Sequence, residues 1–290
     1  MTAGDSEGLP KLGLLLIGMG PGRLGAMTIE ARDAAKSADF RRYEAYTALW
    51  PDNELEALEN NIGPIEKVMR PEVEDPSELL NLAKENLVAL LIVGDPLQAT
   101  THVDLQLQAI EAGIECRVFH GISITTLVTG SIGLSNYRFG RQTTITYPYG
   151  GWVATSPLEV IAVNLHQNQH TLALLDLDPT GAGTGQQVPM QPIDAVKSLE
   201  LMAQKLNSDY SEMETETALD SMKMEAYTSF LNGKLNEKMV VLCADMGTDE
   251  EKVTYTTIGN LSDIAGGRLN CLIFPAITSD VEEKALLRWK

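Results

Sequence analysis

Residues 87 to 102 read LVALLIVGDPLQATTH, and this stretch decides the fold. An apolar run followed at once by glycine, an acid and proline is typical of a buried parallel strand that turns sharply into a helix. Gly94 lets the backbone turn without a Cβ clash, and the proline fixes the φ that follows. Asp95 places a carboxylate at the turn, and we expect Thr100 or Thr101 to cap the next helix. Such turns lie at the carboxyl ends of strands, where open α/β sheets bind ligands.

Apolar runs and helical patterns alternate on both sides of this stretch. Before it, an apolar strand over 12–17 ends in the glycine-rich turn GMGPG, and an alanine-rich helix follows over 28–38. After it, Val103, Leu107 and Ile110 fall four and three residues apart, which is the spacing of the apolar stripe of an amphipathic helix. This alternation predicts a parallel sheet covered by helices.

The remaining predicted elements fall into two halves that meet near residue 121. Further strands are predicted over 41–44, 115–119, 143–147, 171–177, 239–244, 253–258 and 271–274, and further helices over 78–85, 122–134 and 157–167. We expect an N-terminal α/β domain over 11–121 and a C-terminal α/β domain over 122–290. The second domain is expected to carry an acidic surface insertion around 178–224.

Composition excludes several classes of protein. At 290 residues and 44% hydrophobic content, the chain is long enough for two domains with sizeable cores. Asp and Glu number 40 against 22 Lys and Arg, a formal net charge of −18, so we expect neither nucleic acid nor an anionic membrane as a direct partner. The three cysteines and four histidines show no disulfide or metal-ligand spacing, and no metal is expected. With no signal peptide or long apolar span in view, we expect a soluble, cytoplasmic protein.

The glycine-rich turn after the first strand has three possible interpretations. The stretch GPGRLG at 20–25 fits the G-x-G-x-x-G pattern of dinucleotide-binding turns, and Gly18, Gly20 and Gly22 fit the G-x-G-x-G turn of common methyltransferases. Pro21 removes a backbone donor from the loop that would hold a pyrophosphate, which weakens the dinucleotide interpretation. A turn that serves only packing is the third possibility.

Seven segments in order carry a more specific resemblance. They are GMG at 18–20, EAYT at 44–47, GDPLQATTH at 94–102, HGISI at 120–124, YRFG at 137–140, YPYGGWVATS at 147–156 and HTLALLD at 170–176. The pattern resembles the diphthine synthases, a family in the tetrapyrrole-methylase-like class of S-adenosylmethionine methyltransferases. The resemblance runs from about residue 12 to residue 280.

The resemblance implies a fold, a reaction and a set of binding residues. The implied fold is two unequal α/β domains of the tetrapyrrole-methylase type with S-adenosyl-L-methionine in the cleft between them, usually as a homodimer. The implied reaction is methylation of the amino nitrogen of the 3-carboxy-3-aminopropyl-modified histidine of elongation factor 2, which gives diphthine during diphthamide biosynthesis. Trimethylation is the expected extent. The cofactor-binding residues that the resemblance implies are Pro21, Asp95, Gln98, Ser123, Ile124, Leu175, Met246 and Asn270.

The sequence departs from the family pattern at two of these positions. Pro21 stands where an aliphatic residue is usual, and Asn270 stands where relatives often carry a histidine. The amide of Asn270 still offers a donor and an acceptor. The acceptor amine must lose a proton before each methyl transfer, and the sequence alone identifies no base for that step.

Two other functions stay open at this point. A tetrapyrrole methyltransferase that acts on a carbon of precorrin or uroporphyrinogen is the first. It shares the fold and the cofactor, so the fold cannot distinguish it from a diphthine synthase. A non-catalytic binding module of the same fold is the second. Trp152 adds a narrower hypothesis: its ring could hold the increasingly cationic acceptor through a cation–π contact, or it could simply plug the junction between the two domains.

Overall fold

We describe the protein from a computed structural model that covers residues 8–184, 187–212, 217–232 and 234–290. The described chain forms two compact units. The first holds residues 8–127 and 182–184, and the second holds residues 128–181 and those from 187 onward. The expected domain boundary after residue 121 stays a prediction.

The first unit contains a five-stranded parallel sheet, as the alternation predicted. Its strands are β1 Gly13–Gly18, β2 Phe40–Glu44, β3 Glu66–Val68, β4 Leu87–Ile92 and β5 Cys116–Phe119. Its helices are α1 Ile29–Ser37, α2 Asp52–Ile62, α3 Arg70–Glu74, α4 Ser77–Glu85 and α5 His102–Glu111. The strand order is β3-β2-β4-β1-β5, and every neighbouring pair is parallel.

Both faces of this sheet are buried, which explains the continuous apolar runs of its central strands. Leu15 and Ile17 of β1 face one core, which includes Ala31 of α1. Leu14 and Leu16 of β1 face the opposite core, on the side of α5. Successive side chains alternate between the faces because a strand repeats every two residues.

The order of strands creates a topological switch point between β1 and β4. The connection from β1 to β2 runs through α1 on one face, and the connection from β4 to β5 runs through α5 on the other. The two connections therefore leave adjacent strands on opposite faces. Open α/β sheets bind ligands at the carboxyl ends of such strands. We therefore expect a binding site at the turns after β1 and β4.

The helix predicted after residue 102 is confirmed as α5, but its core-facing side differs from the apolar stripe in the sequence. Val103, Leu107 and Ile110 are exposed, whereas Leu105 and Ala109 are buried. Two apolar series lie on this helix at helical spacing. The series with Leu105 and Ala109 packs against the sheet, and the series with Val103, Leu107 and Ile110 faces solvent.

The second unit contains a mixed five-stranded sheet. Its strands are β6 Thr143–Ile145, β7 Thr171–Leu175, β8 Met239–Ala244, β9 Lys252–Thr257 and β10 Asn270–Phe274. Helix α6, Ile124–Ser131, spans the boundary between the units at residue 127, and the helices of the second unit are α7 Ser156–His166, α8 Pro192–Glu212, α9 Ala218–Leu231 and α10 Asp280–Leu286. The order is β6-β7-β10-β8-β9, in which β6 and β7 are parallel and the other neighbours are antiparallel.

Part of the segment expected as an acidic insertion contributes to the core. Leu199 and Met202 of α8 are buried in the cluster that also contains Tyr227 and Phe230 of α9. The stretch around residues 178–224 is therefore not a surface insertion throughout, although residues 213–216 within it lie outside the described residues. The sequence of α8 does not show one clear apolar stripe, because Ile193 and Leu201 are apolar but lie on its exposed face.

Candidate functional site

Three turns of the first unit meet backbone to backbone at one edge of the parallel sheet. They lie at the carboxyl ends of β1, β4 and β5 and contain Gly18, the last residue of β1, with Gly94 and Gly121. A Cβ on Gly18 would lie 2.5 Å from the Gly121 amide nitrogen, and a Cβ on Gly121 would lie 2.2 Å from the Gly94 carbonyl oxygen. These two positions therefore require glycine, because only an absent side chain allows the turns to approach this closely.

The turn after β1 is held by hydrogen bonds from two directions. Gly20 and Gly94 exchange backbone hydrogen bonds of 3.1 and 2.9 Å, and both have positive φ. The indole Nε1 of buried Trp50 donates to the Gly20 carbonyl at 3.1 Å. Pro21 follows directly and is half-buried. The glycine-rich turn and the GDP turn are therefore one structural unit at the switch point.

Asp95 connects the turn after β4 to the turn after β5. Its buried carboxylate accepts from the Leu97 amide at 2.9 Å and from the Gly121 amide at 3.3 Å. The oxygen that faces Gly121 also lies 2.8 Å from Nδ1 of His120. The strands β4 and β5 are not neighbours, since β1 lies between them. Asp95 can reach across only because the intervening turn carries Gly18.

Gln98, Ser123 and Ile124 come together through a residue that sequence reasoning did not select. The hydroxyl of Thr125 donates to the Gln98 side-chain oxygen at 2.7 Å and lies 3.0 Å from the Ser123 hydroxyl. The Thr125 amide also donates to Ser123 Oγ at 3.2 Å. Ile124 begins α6 and is half-buried beside them. The hydroxyl-rich sequence after His120 was the signal for this network.

The far end of the GDP loop is anchored by a buried pair. His102 Nε2 lies 2.6 Å from Glu44 Oε2, and both side chains are almost wholly buried. The other ring nitrogen of His102 contacts the Thr100 hydroxyl. Thr101 occupies the N-cap position of α5 without a side-chain hydrogen bond, whereas the Thr100 hydroxyl accepts from the His102 amide, the first of the helix, at 3.4 Å. Ala99, with φ +57°, is held in the left-handed region between these anchors.

The three site residues predicted in the second unit also lie at one sheet edge. Leu175 ends β7, Asn270 begins β10 opposite Ala244, and Met246 follows two residues after Ala244. Cys271 lies opposite Leu174, so the antiparallel register brings the end of β7 and the start of β10 together. Leu175, Met246 and Asn270 are all buried or nearly so.

Asn270 uses its amide mainly to organise the neighbouring loop. Its Nδ2 donates to the carbonyl oxygens of Met190 and Gly267, each at 3.1 Å. Its Oδ1 accepts from the Gly267 amide at 2.8 Å. Both donor hydrogens are thus occupied within the protein, and one lone pair of Oδ1 is left for a ligand.

Aromatic side chains surround the acid that follows β7. Asp176 accepts from the Tyr147 amide at 3.1 Å and from the Tyr149 hydroxyl, while its other oxygen accepts two backbone amides. Burial, with help from Asp194 and Asp176, raises the pKa of Tyr147 to about 12, so its phenol stays protonated. With four donors on its oxygens, Asp176 is a structural acceptor and a poor candidate for a base.

Trp152 is not a packing residue within its unit. More than half of its surface, 58%, is exposed. The ammonium of Lys205 lies 6.0 Å from the ring centroid and donates to the Val153 carbonyl at 2.9 Å. The ring thus already has a cation at the edge of the range for a cation–π contact. Its contact with a cationic acceptor stays a prediction.

Comparison with known proteins identifies the family. The family model of the tetrapyrrole (corrin/porphyrin) methylases matches residues 13–262. The chain belongs to this family. The match takes in the turns after β1, β4 and β5 as well as Leu175 and Met246, so every predicted site residue except Asn270 lies inside the family region.

Two of the curated proteins that are similar to this chain are named diphthine synthase. The chain is 37% identical over 166 residues to diphthine synthase of Methanospirillum hungatei, a match that covers 57% of this chain and 66% of that protein. It is 42% identical over 146 residues to diphthine synthase of Methanoregula boonei, covering 49% of this chain and 58% of that protein. The chain thus spans slightly less than two thirds of the length of the curated relatives it matches.

A solved structure extends the similarity over the chain. A crystal structure of diphthine synthase superimposes with a TM-score of 0.74 at 28% identity and covers 95% of each chain. The predicted fold class of two α/β domains of the tetrapyrrole-methylase type is therefore confirmed. Among the described residues, no helix has the length and apolarity needed to traverse a bilayer.

Proposed function

We propose that this chain is an S-adenosyl-L-methionine-dependent methyltransferase that makes diphthine. Its substrate would be the amino nitrogen of the 3-carboxy-3-aminopropyl-modified histidine of elongation factor 2, methylated up to three times. The observation that carries the proposal is that the GDPLQATTH and HGISI segments, which resemble diphthine synthases, are joined through Asp95 and Thr125 at the switch point of the parallel sheet.

The residues of the first unit suit parts of the proposed cofactor. S-adenosyl-L-methionine supplies a methyl group on a sulfonium and presents ribose hydroxyls, an adenine and an amino-acid group. Gln98 offers an exposed amide, and Ser123 offers a hydroxyl within the Thr125 network. Asp95 would act mainly by holding the loop, because its carboxylate already accepts three protein donors. Pro21 and Ile124 would provide apolar contact beside these polar groups.

In the second unit, Leu175, Met246 and Asn270 stay the proposed binding residues. Leu175 and Met246 are apolar side chains at a sheet edge and suit an adenine or a thioether. Asn270 keeps an amide oxygen that can accept one further hydrogen bond. Its donors are committed to Met190 and Gly267, so we propose loop support as the larger part of its role.

The proposed partners follow from the same substrate. Elongation factor 2 would be the protein partner, and the enzyme would work in the cytoplasm as a homodimer. The formal charge of −18 makes direct binding to nucleic acid or anionic lipid unfavourable. The proposed methyl transfer needs no metal to activate the donor, because the methyl group is carried on a sulfonium that is already cationic.

A second candidate function rests on the family match itself. The matching family model is that of corrin and porphyrin methylases, so a precorrin or uroporphyrinogen substrate is the alternative. Both substrates would use the same cofactor and the same turns.

The deciding experiment incubates the purified chain with methyl-labelled S-adenosyl-L-methionine and each acceptor in turn. The acceptors are elongation factor 2 bearing the unmethylated histidine intermediate, the same factor with unmodified histidine, and uroporphyrinogen. We expect label only on the first acceptor. Label only on uroporphyrinogen would establish the alternative, and label on none with tight cofactor binding would leave a binding module.

A further inference from the structure

His120 is the exposed member of a dyad at the proposed cofactor site. Its Nδ1 lies 2.8 Å from the Asp95 carboxylate, whose side chain is only 3% exposed, while 70% of the His120 side chain is open to solvent. A buried carboxylate bonded to Nδ1 fixes the imidazole orientation and favours the tautomer whose Nε2 carries a lone pair. Among the described residues, Nε2 has no hydrogen-bond partner.

The histidine is held at the same edge as the proposed cofactor residues. His120 follows β5 directly, and Gly121 beside it donates to the same Asp95 oxygen at 3.3 Å. Gly18 and Gly94, the turn residues that pack against Gly121, carry no side chains. Asp95 is therefore the charged group that faces the ring within the described part of this turn cluster.

We propose that His120 is the catalytic base that deprotonates the acceptor amine, an assignment that rests on the proposed function. The N–H bond of the ammonium breaks, its proton binds Nε2 of His120, and the electron pair left on nitrogen can accept a methyl group. His120 then passes the proton to solvent, which its exposure allows. A primary ammonium needs this step three times before it becomes quaternary, so a base that recharges quickly from water suits the reaction.

The activity test uses His120→Gln, with His166→Gln as the matched control. Glutamine can still bond to Asp95 but cannot take up a proton, and His166 is an exposed histidine on α7 in the second unit. Single-turnover transfer to elongation factor 2 is measured at saturating cofactor from pH 6 to 10. We expect His120→Gln to lower the rate at pH 7 by at least about 10-fold, with recovery as the acceptor amine loses its own proton at high pH.

Binding separates a base from a structural residue. Cofactor affinity of His120→Gln, measured by calorimetry, should stay within about threefold of the wild type, and His166→Gln should match the wild type throughout. A His120→Gln rate within twofold of the wild type at pH 7, with an unchanged pH profile, would overturn the assignment. So would a rate loss that is equal at every pH.

A spectroscopic readout keeps the dyad testable even if the proposed function fails. If the wild type transfers nothing to elongation factor 2, that function is lost, and imidazole ¹⁵N NMR still decides whether Asp95 orients His120. We expect a protonated Nδ1 in the neutral ring of the wild type and a smaller fraction of that tautomer in Asp95→Ala, because the carboxylate that accepts from Nδ1 is then absent. An Nε2-protonated ring in the wild type, or a tautomer ratio that Asp95→Ala leaves unchanged, refutes the dyad.

Discussion

Gly121→Ala should disrupt the meeting point of the three turns. The new Cβ would lie 2.2 Å from the Gly94 carbonyl oxygen, 2.9 Å from the Gly18 carbonyl carbon and 3.0 Å from its Cα. All three are backbone atoms, so no rotamer change relieves the overlap. Ordinary contact would require the turns to part by roughly 1 Å. Gly121 does not have a positive φ, so the effect is steric and involves no left-handed strain.

The size of the effect follows from overpacking. Forcing a methyl group into a closed site destabilises by about 1–3 kcal/mol. In a chain of 290 residues, that corresponds to a loss of roughly 2–5 °C in Tm. A shift of roughly 1 Å in the turns also misplaces the Asp95 carboxylate and the loop that it holds, so we expect at least about tenfold weaker binding of S-adenosyl-L-methionine.

The matched control is Gly25→Ala, at a glycine in the connection from β1 to α1 with nothing within 4 Å of its Cβ position and no positive φ. Stability is followed by scanning calorimetry and by hydrogen exchange of the β1 and β4 amides, and affinity by isothermal titration. Gly25→Ala should stay within about 0.5 kcal/mol of the wild type. A Gly121→Ala protein that matches Gly25→Ala in both stability and affinity would refute the close approach of these turns.

Three further predictions test other parts of the structure. Asp95→Ala should weaken cofactor binding by more than about 1 kcal/mol in calorimetry, because the Leu97 and Gly121 amides lose their acceptor; an unchanged affinity would make Asp95 dispensable to the site. Burial alone would raise the pKa of Glu282, but hydrogen bonds from Ser279, Ser135 and His170 lower it to about 2. The ionised carboxylate therefore stabilises the fold fully above pH 4.5, and this stabilisation is lost as the pH falls towards 2. That contribution is about 3 kcal/mol, and Glu282→Gln should flatten the acid limb of the Tm profile while exposed Glu283→Gln leaves it in place. Leu105→Ala should destabilise by about 2–5 kcal/mol and Leu107→Ala by less than about 0.5 kcal/mol in thermal unfolding; equal losses would contradict the orientation of α5.

The parallel sheet was predictable because each of its central strands has a local sequence signal, a continuous apolar run. A strand buried on both faces must be apolar throughout, and β1 and β4 are. The glycine turns after them were also visible in the sequence, since sharp strand-to-helix turns favour glycine. Helix α8 was missed because exposed Ile193 and Leu201 add apolar residues outside the face of Leu199 and Met202 and so blur its spacing in the sequence.

The arrangement of the site was less predictable than its members. Asp95 and Gln98 could be selected from the GDP segment, and Ser123 from HGISI. That Thr125 links Gln98 to Ser123, and that Asp95 reaches His120 across an intervening strand, depends on the order of strands in the sheet. Strand order is set by long-range packing, which residue spacing does not encode. The apolar stripe at 103, 107 and 110 had the same ambiguity, because two helical faces carried apolar residues.

The outer strands of the parallel sheet also bear on how the protein behaves when crowded. β3 is three residues long and presents Glu66 and Lys67 to solvent, and β5 exposes Arg117 beside Glu115. An unpaired strand border is a template on which another molecule can add its own strand, and short borders with charged side chains oppose such growth. Neutralising Lys67 and Arg117 together would therefore be expected to favour fibrous self-association, at concentrations where the native chain stays dispersed.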